Sequence, residues 1–483
     1  MIRPIAKLLD MATAAVGDVM RPWRPHQELR ILAEQKRRWR DLRERAGQAG
    51  SVLDLLRELS LGITPRATGL AGDIDIARAI FPDVLRVLQP LARARNEDVL
   101  VLGGDRIWRR LADGPGQPGK SGCVEIAVVD AEGRLTERCS VHLWRSGKDY
   151  AVAVSENAPV KRASADGHFP AGLAPVDFTV PPPDIVYTWV NAADPGWRAL
   201  VSPYKDIGAL DPDRFEQTDE LRYSLRSVAL FAPWAPRVHI FSNCAPPDWF
   251  RETDRYRWVR HEDVVPESYR PLFNSHAIET FLHEIPGLSD RFVYFNDDFF
   301  LCAPLRPTDF FTAYGRSVAR LEPYGTLHHL ATLKEEGKAE EWQSAAVNSA
   351  RLAQAKNGVF PTRLHRHAPY AIDKTVYERM IRDFPAEAET TRSARFRAPQ
   401  DISFTSFLYH HLALGSGDAV EVAEESPILR PTNFRQFLRG RKYRSVRFFC
   451  LNDGGNSATH GAYRKFKIDF LSRHYIAKAP CER

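Results

Sequence analysis

The stretch most suggestive of chemistry is Arg291-Phe-Val-Tyr-Phe-Asn-Asp-Asp-Phe-Phe300. A hydrophobic run of strand type leads straight into Asn296, Asp297 and Asp298, and apolar residues resume at once. Carboxylates delivered at a strand end are placed to hold a divalent cation on a diphosphate. Mg²⁺ takes oxygen ligands, usually one or two carboxylates together with substrate phosphate. The competing reading is a simple turn, which Asn and Asp favour. That reading sets polar groups close to the core, where burial without partners is costly.

Other stretches add polar groups at similar places. In Asp184-Ile-Val-Tyr-Thr-Trp-Val-Asn191-Ala-Ala-Asp194-Pro a strand again delivers Asn191 and Asp194 into a turn, with or without a ligand. Arg222 and Arg226 are spaced i, i+4 and share a helix face, which makes either an anion clamp or a solvated charged face. His367 precedes a proline and an amphipathic helix carrying Val376, Met380, Ile381 and Phe384. An imidazole at a helix entrance can accept a hydroxyl proton or serve as a cap. Arg395 and Arg397 precede a further helix as an anion site or a solvated pair. Finally, Arg430–Arg447 holds seven cations and no acidic residue, and runs into Phe448-Phe-Cys450-Leu-Asn452-Asp453. Arginine forks suit phosphate. Phe434, Phe437 and Tyr443 interleave the run, so base stacking, a lipid head group, an anionic polymer and a solvated face all stay open.

The elements that must position these groups follow from periodicity. Glu28–Arg45, Ser51–Leu61 and Phe81–Ala94 read as helices, the last with Pro90 inside it. Cys123–Asp130 and Arg138–Trp144 are short β-like runs joined through Ala131-Glu132-Gly133. The domain pattern expected is a helical region over 1–98, a small β-rich module over 99–156, a linker over 157–183 and a further domain over 184–483. In that last domain Asp184–Val190, Arg237–Ser242 and Arg291–Phe295 are strands, and Glu220–Phe231 and Ser275–Ile285 are helices. This alternation predicts an α/β fold, a mixed sheet covered by helices, with ligands beyond the C-terminal strand ends.

The chain has 483 residues, 44% hydrophobic and 27% charged, with a formal net charge of +6. That is a globular composition long enough for several domains. It lacks the dense overall basic footprint of a dedicated nucleic-acid binder, so no nucleic acid is expected as a partner. The charge is uneven. Arg21–Gly47 holds nine Lys/Arg against four Asp/Glu, and Arg430–Arg447 holds the seven cations above, leaving a mildly acidic remainder. The six cysteines show no CxxC spacing, which fits reduced thiols rather than a zinc ribbon. No apolar run reaches membrane-span length, and Met11–Gly17 is too short and too poor in leucine for a leader peptide. A soluble cytoplasmic protein is expected. Contact of the basic helix Glu28–Arg45 with an anionic membrane surface, or pairing with a second copy, stays open.

Together these stretches resemble the Stealth family. Its members transfer a sugar-1-phosphate from a nucleotide sugar, and include bacterial capsule and exopolysaccharide phosphotransferases and the animal lysosomal GlcNAc-1-phosphotransferase. Four blocks match in order: Asp184–Asn191; Phe215 through Glu220–Ser227, Ala232-Pro-Trp234 and Phe273–Leu305; His367–Asp373 through Phe396-Arg397 to Asp401; and Phe449–Asp453. The first block has Asn191 where many relatives have Asp.

The resemblance implies attack of a glycan hydroxyl on the phosphorus next to the sugar of a nucleotide diphospho-sugar, with a nucleoside monophosphate leaving. It implies Asp297 and Asp298, with Asp453, as ligands of Mg²⁺ or Mn²⁺, and His367 as base. Arg397, with Asn452 and Asp453, would steady the developing charge, and Asp298 counts with His367, Arg397 and Asn452 as catalytic. Tyr187, Trp189 and Asn191 would line the nucleotide pocket, Asn274, Ser275 and His276 would approach the sugar, and Asp194, Arg222 and Arg226 count with them as substrate-binding. The alternative is a metal-dependent glycosyltransferase that releases a nucleoside diphosphate.

Overall fold

The computed structural model describes residues 29–63, 71–113, 122–155, 158–165, 181–209, 218–452, 457 and 459–483. Its first part begins with helix Arg30–Glu44, whose Ile31, Leu32, Gln35, Trp39 and Leu42 form one buried stripe at helical spacing. Helix Val52–Leu59 is capped by the Ser51 hydroxyl, which accepts from the Asp54 amide at 3.0 Å. Both lie near a seven-stranded sheet made of β1 (Ala71–Ala77), β2 (Asp98–Leu102), β3 (Trp108–Arg110), β4 (Cys123–Val129), β5 (Leu135–Ser146), β6 (Tyr150–Ala153) and β7 (Arg162–Ser164). The order is β3-β2-β4-β5-β6-β7, and β1 pairs parallel with β5. Gln35 ties helix to sheet: its amide donates to Leu59 O and Asp75 O and accepts from the Ala77 N–H at 2.7 Å.

The helical region and the β-rich module expected as neighbours therefore close a single core running from Leu29 to Ala158. β1 falls inside the expected helical region and β7 inside the expected linker. Asp73 and Asp75 interrupt the apolar pattern of β1, which hid it in the sequence. Both carboxylates are buried and used, Asp73 by His142 at 2.6 Å and Asp75 by the Trp144 indole at 2.8 Å.

The second part is built on a five-stranded sheet. β8 (Asp184–Thr188), β9 (Val238–Ser242), β10 (Tyr256–Arg260) and β11 (Arg291–Asn296) are parallel. β14 (Tyr370–Asp373) joins β11 antiparallel, giving the order β10-β9-β8-β11-β14. In β8 and β11, Ile185 through Tyr187 and Phe292 through Phe295 are buried in succession, as expected of a parallel strand covered on both faces. Helix Glu220–Phe231 forms where the sequence predicts it; the expected helix Ser275–Ile285 is shorter, Ser275–Glu279 followed by a 3₁₀ turn at Leu282–Glu284.

A second small sheet abuts the first. β12 (Phe299–Leu301) pairs antiparallel with β17 (Phe448–Leu451), which pairs parallel with β16 (Ile428–Leu429). β13 (Ser317–Ala319) and β15 (Ala419–Glu421) form a third. The two parts are joined covalently and by packing. Leu100, Leu102 and Trp108 enter the core of the second part, Arg138 donates to Leu230 O at 2.9 Å, and Arg306 meets Asp73 at 3.2 Å. All six cysteines are free thiols. Among the described residues no helix is long and apolar enough to cross a membrane.

One buried ion cluster ties helix Glu220–Phe231 to the far segment of the chain. The fully buried Glu482 carboxylate accepts from Arg226 at 2.6 and 2.7 Å and from Arg222 at 2.6 Å. Burial raises the Glu482 carboxyl, but the bonds and charge of Arg226 and Arg222 outweigh it and hold it below the ordinary glutamate range. Its contribution is therefore complete above the unfolded glutamate range and is lost as pH falls through the lower folded value. Removing one partner of such a cluster strands the others. Glu482→Ala is expected to destabilise the chain by about 3–5 kcal/mol in urea unfolding at pH 7, and a loss under 1 kcal/mol would refute this account.

Candidate active site

Only Asp297 and Asp298 separate β11 in the large sheet from β12 in the small one. The chain thus turns a corner between two sheets, and the polar triplet Asn296-Asp297-Asp298 is that corner. β8 and β11 run parallel with Asn296 opposite Thr188, so Thr188, Trp189 and the triplet share the C-terminal edge of the sheet. The antiparallel register Tyr294↔Tyr370 brings the start of β14, and with it His367, to the same edge. The pairing Phe299↔Cys450 brings β17 in from the other side.

The result is a compact acid–imidazole–thiol centre. His367 Nε2 stands 3.8 Å from Asp298 Oδ2, and the Cys450 thiol donates to the same oxygen at 3.0 Å. One donor atom from each of Asp298, His367 and Cys450 lies within 4.8 Å of the other two. Asp298 Oδ1 is buried with no hydrogen-bond partner among the described residues. An orphaned carboxylate oxygen is costly and fits a cation. Asp298 with the adjacent Asp297 could supply oxygen to Mg²⁺ or Mn²⁺, whereas the sulfur and imidazole add softer donors. Asn296 Nδ2 lies 3.5 Å from His367 Nε2, and His367 Nδ1 lies 3.3 Å from the Tyr370 hydroxyl. Asn296 can only donate there, so Nε2 keeps its lone pair and Nδ1–H points to Tyr370. Phe299 meets the imidazole edge-on at 4.6 Å.

A buried polar layer supports this edge. Tyr370 stacks on Tyr294, whose hydroxyl bonds Thr188 Oγ1 at 2.7 Å and Glu279 at 3.3 Å. Burial pushes the Glu279 carboxyl up to about 7, with the Arg397 charge and the Tyr294 and Thr405 hydroxyls only partly opposing it. Arg397 reaches Ser275 Oγ from Nη2 at 2.8 Å. Asp401, fully buried, accepts from Asn274 Nδ2 at 2.8 Å and the Ala398 amide at 3.0 Å, and meets His276 Nδ1 at 3.1 Å.

Several residues expected at the substrate are engaged by other parts of the fold. Tyr187 is fully buried because β8 is covered on both faces, and its hydroxyl meets Ser224 at 2.8 Å. Trp189 is buried edge-to-face on Trp258. Asn191 Oδ1 closes its own turn on the Ala193 amide. Asp194 caps helix Pro195–Val201 through Gly196 N–H and accepts from Ala245 N–H with its other oxygen. Arg222 and Arg226 clamp Glu482 rather than a ligand. Asn274 is fully buried as a helix cap, and both it and His276 are held by Asp401; of that trio Ser275 alone turns to Arg397.

Asp298, His367 and the backbone of Asn452 do come together. Leu451 N–H donates to Asp298 O at 3.0 Å, one residue before Asn452. Asp453 lies outside the described residues, as does Phe215 of the second block. Cys450, Tyr370, Glu279 and Asp401 were not assigned roles from sequence. A lone cysteine inside Phe-Phe-Cys-Leu reads as core, and only the β12–β17 register shows its carboxylate partner.

An α/β protein with an acid–imidazole centre beyond its parallel strand ends is the class that this geometry defines. Residues 181–209, 214–319 and 366–414 match Stealth protein conserved regions 1, 2 and 3, in that order. The chain thus carries three conserved regions of the Stealth family in their order. It is 35% identical over 301 residues to the capsular polysaccharide phosphotransferase SacB of Neisseria meningitidis serogroup A, covering 60% of this chain and 54% of SacB. It is 35% identical over 334 residues to the exopolysaccharide phosphotransferase CpsY of Mycobacterium tuberculosis, covering 67% of this chain and 62% of CpsY. The matches thus span less than two thirds of the length of these relatives. Among solved structures, the galactosyltransferase LgtC is similar at 13% identity and a TM-score of 0.33, over 61% of this chain and 96% of that one; so slight a likeness carries no argument.

The raised Glu279 carboxyl has a measurable consequence. A carboxyl that keeps its proton longer folded than unfolded gives most stability at and below the ordinary glutamate range. It loses stability as pH rises towards 7, by about 1.4 kcal/mol per unit. Glu279→Gln should remove that slope, so its stability relative to the parent rises between pH 4.5 and 7 in urea unfolding. Parallel pH profiles for the two proteins would refute the assignment.

Proposed function

We propose that this chain is an exopolysaccharide or capsule phosphotransferase, moving a hexose-1-phosphate from a nucleotide diphospho-sugar to a glycan hydroxyl. The observation that carries the reading is the juxtaposition of the orphaned Asp298 carboxylate with His367 Nε2 at 3.8 Å, on segments matching Stealth conserved regions 2 and 3. Phosphoryl transfer needs positioned charge more than covalent chemistry, and the centre offers positioned charge.

In this reading the acceptor oxygen forms the new bond to the phosphorus next to the sugar. The bond from that phosphorus to the bridging oxygen breaks, and a nucleoside monophosphate leaves. His367 Nε2 takes the hydroxyl proton, its ring fixed by Phe299 and by Nδ1–H towards Tyr370. Arg397, anchored on Ser275, and Asn452 steady the charge on the transferred group. A divalent ion, Mg²⁺ or Mn²⁺, held by Asp298 and Asp297 would neutralise the diphosphate. Asp453, two residues beyond Leu451, belongs to the same expected ligand set.

His367→Ala should lower kcat by about 10²–10⁴-fold and Asp298→Asn at least as much. EDTA should abolish turnover, and Mg²⁺ or Mn²⁺ should restore it. The deciding measurement is the nucleotide released when UDP-, GDP- and CDP-sugars are screened. Monophosphate supports transfer of the sugar with its phosphate. Diphosphate alone would replace this reading with a metal-dependent glycosyltransferase.

A further inference from the structure

The seven-cation run Arg430–Arg447 divides into two sets. Arg447 is taken up by Glu424 and Asp309, and Lys442 by Glu425 at 3.1 Å. The others include Arg441 and Arg444, which line a cleft of ≈ 530 Å³ between the run, the loop Asp105–Arg109 of the first part, and helix Gly461–His474. Arg109, Lys465 and Arg473 enter from those other elements. Five cations thus face one cleft that holds two carboxylates, Asp105 and Asp469. Asp105 is engaged by Arg109 and, at 4.0 Å, by Arg444; Asp469 is engaged by Lys465 at 3.3 Å. Arg441 and Arg473 form no ion pair among the described residues. Arg441 also holds a left-handed backbone (φ 50°) while the glycine before it does not. The strained conformation falls on the residue that carries the charge.

The floor of the cleft is aromatic. Phe470 and Phe466 are buried, and His474 stacks on Phe470 at 3.8 Å with Tyr443 edge-on at 5.0 Å. His474 is only 7% exposed. Burial lowers its pKa to about 4, so the ring is neutral. Nδ1 meets Phe470 O at 2.8 Å, so Nδ1 carries the proton, and Nε2 is an acceptor with no partner among the described residues. A neutral acceptor repels a phosphate oxygen but takes a hydroxyl. Guanidiniums for phosphate, aromatic faces for C–H surfaces and a buried acceptor for a hydroxyl make a combination suited to a phosphorylated sugar, and poorly suited to free phosphate or to a neutral glycan.

We propose that this cleft is a second, non-catalytic binding site for a phosphodiester-linked saccharide, holding the phosphate-bearing chain that transfer would extend. The choice of that ligand rests on the transfer reading above. The placement is consistent with it. Cys450, near one end of β17, meets Asp298, and the cationic run joins the other end of the same strand, about 10 Å away at 3.3 Å per residue, with the cleft residues Arg441 and Arg444 further along that run. A chain of a few repeats would reach both.

The test is calorimetric titration of the full chain with a synthetic phosphodiester-linked hexose tetramer, the neutral glycosidic tetramer of the same hexose, and inorganic phosphate. The charged tetramer should bind more tightly than either control. Arg441→Ala/Arg473→Ala should raise its Kd at least about tenfold, the scale of one lost charge-assisted bond, without changing transfer to a monosaccharide acceptor. His474→Phe keeps the stacking and removes the acceptor. It should weaken the tetramer and leave phosphate binding unchanged. If the double variant unfolds, Arg473→Gln alone replaces it, with a smaller rise in Kd. Unchanged tetramer binding in these variants, or equal affinity for the neutral tetramer, overturns the proposal; so does phosphate binding as tightly as the tetramer. Tetramer binding that survives in a chain with no transferase activity would sink the transfer reading and leave the cleft assignment standing.

Discussion

Everything at the centre depends on a two-residue corner. β11 is held on one side by parallel β8 and on the other by antiparallel β14, while β12 is held by β17 in another sheet. Phe292 to Phe295 and Phe299 to Leu301 are buried without interruption. A one-residue slip of either strand would exchange the faces of every side chain, so both registers are fixed by packing on each side of Asp297 and Asp298. The corner has no length with which to absorb a change. The same two registers deliver His367 and Cys450, and the positions of these side chains and of Asp298 follow from how two apolar strands pack.

The polar layer beneath the corner comes at a cost in stability. Glu279 is buried and protonated over part of the neutral range. Asp401 is fully buried, and its Oδ1 has no hydrogen-bond partner among the described residues. A core built for stability alone would place apolar residues there. Asp401 fixes the entrance of helix Ser275–Glu279 and the turn that carries Arg397, and Glu279 places a titratable charge close to the Arg397 guanidinium. Sites that violate burial rules in this way are those where position counts for more than stability.

Much of this was legible in the sequence, and the failures have one cause. Strands β8, β9 and β11 and helix Glu220–Phe231 follow from local periodicity, and the strand-end carboxylates from their abrupt context. What local patterns cannot give is the partner. Arg222 and Arg226 do share a face, but their anion is Glu482, about 256 residues away in sequence. Asp194 resembles a ligand until its two oxygens are seen on Gly196 and Ala245. β14, four residues with one apolar pair, gives no strand signal by itself, yet its antiparallel pairing alone carries His367 to Asp298. Residue types declared which groups could act, and long-range register decided which ones meet.

The charge distribution follows the same rule and separates the two basic segments. In helix Arg30–Glu44 the cations find carboxylates nearby: Arg30 on Glu34, Arg43 on Asp83, and, just beyond the helix, Arg45 on Glu58. Such exposed pairs contribute little stability, and they lower the local positive potential. In Arg430–Arg447 neutralisation is selective. Arg447, next to β17, is half-buried against Glu424 and Asp309, while Arg441 faces the cleft with Arg473. With Arg447 paired beside the strand, and Arg441 and Arg473 in no ion pair among the described residues at a cleft where five cations meet two carboxylates, a diffuse excess of charge is concentrated into one local field.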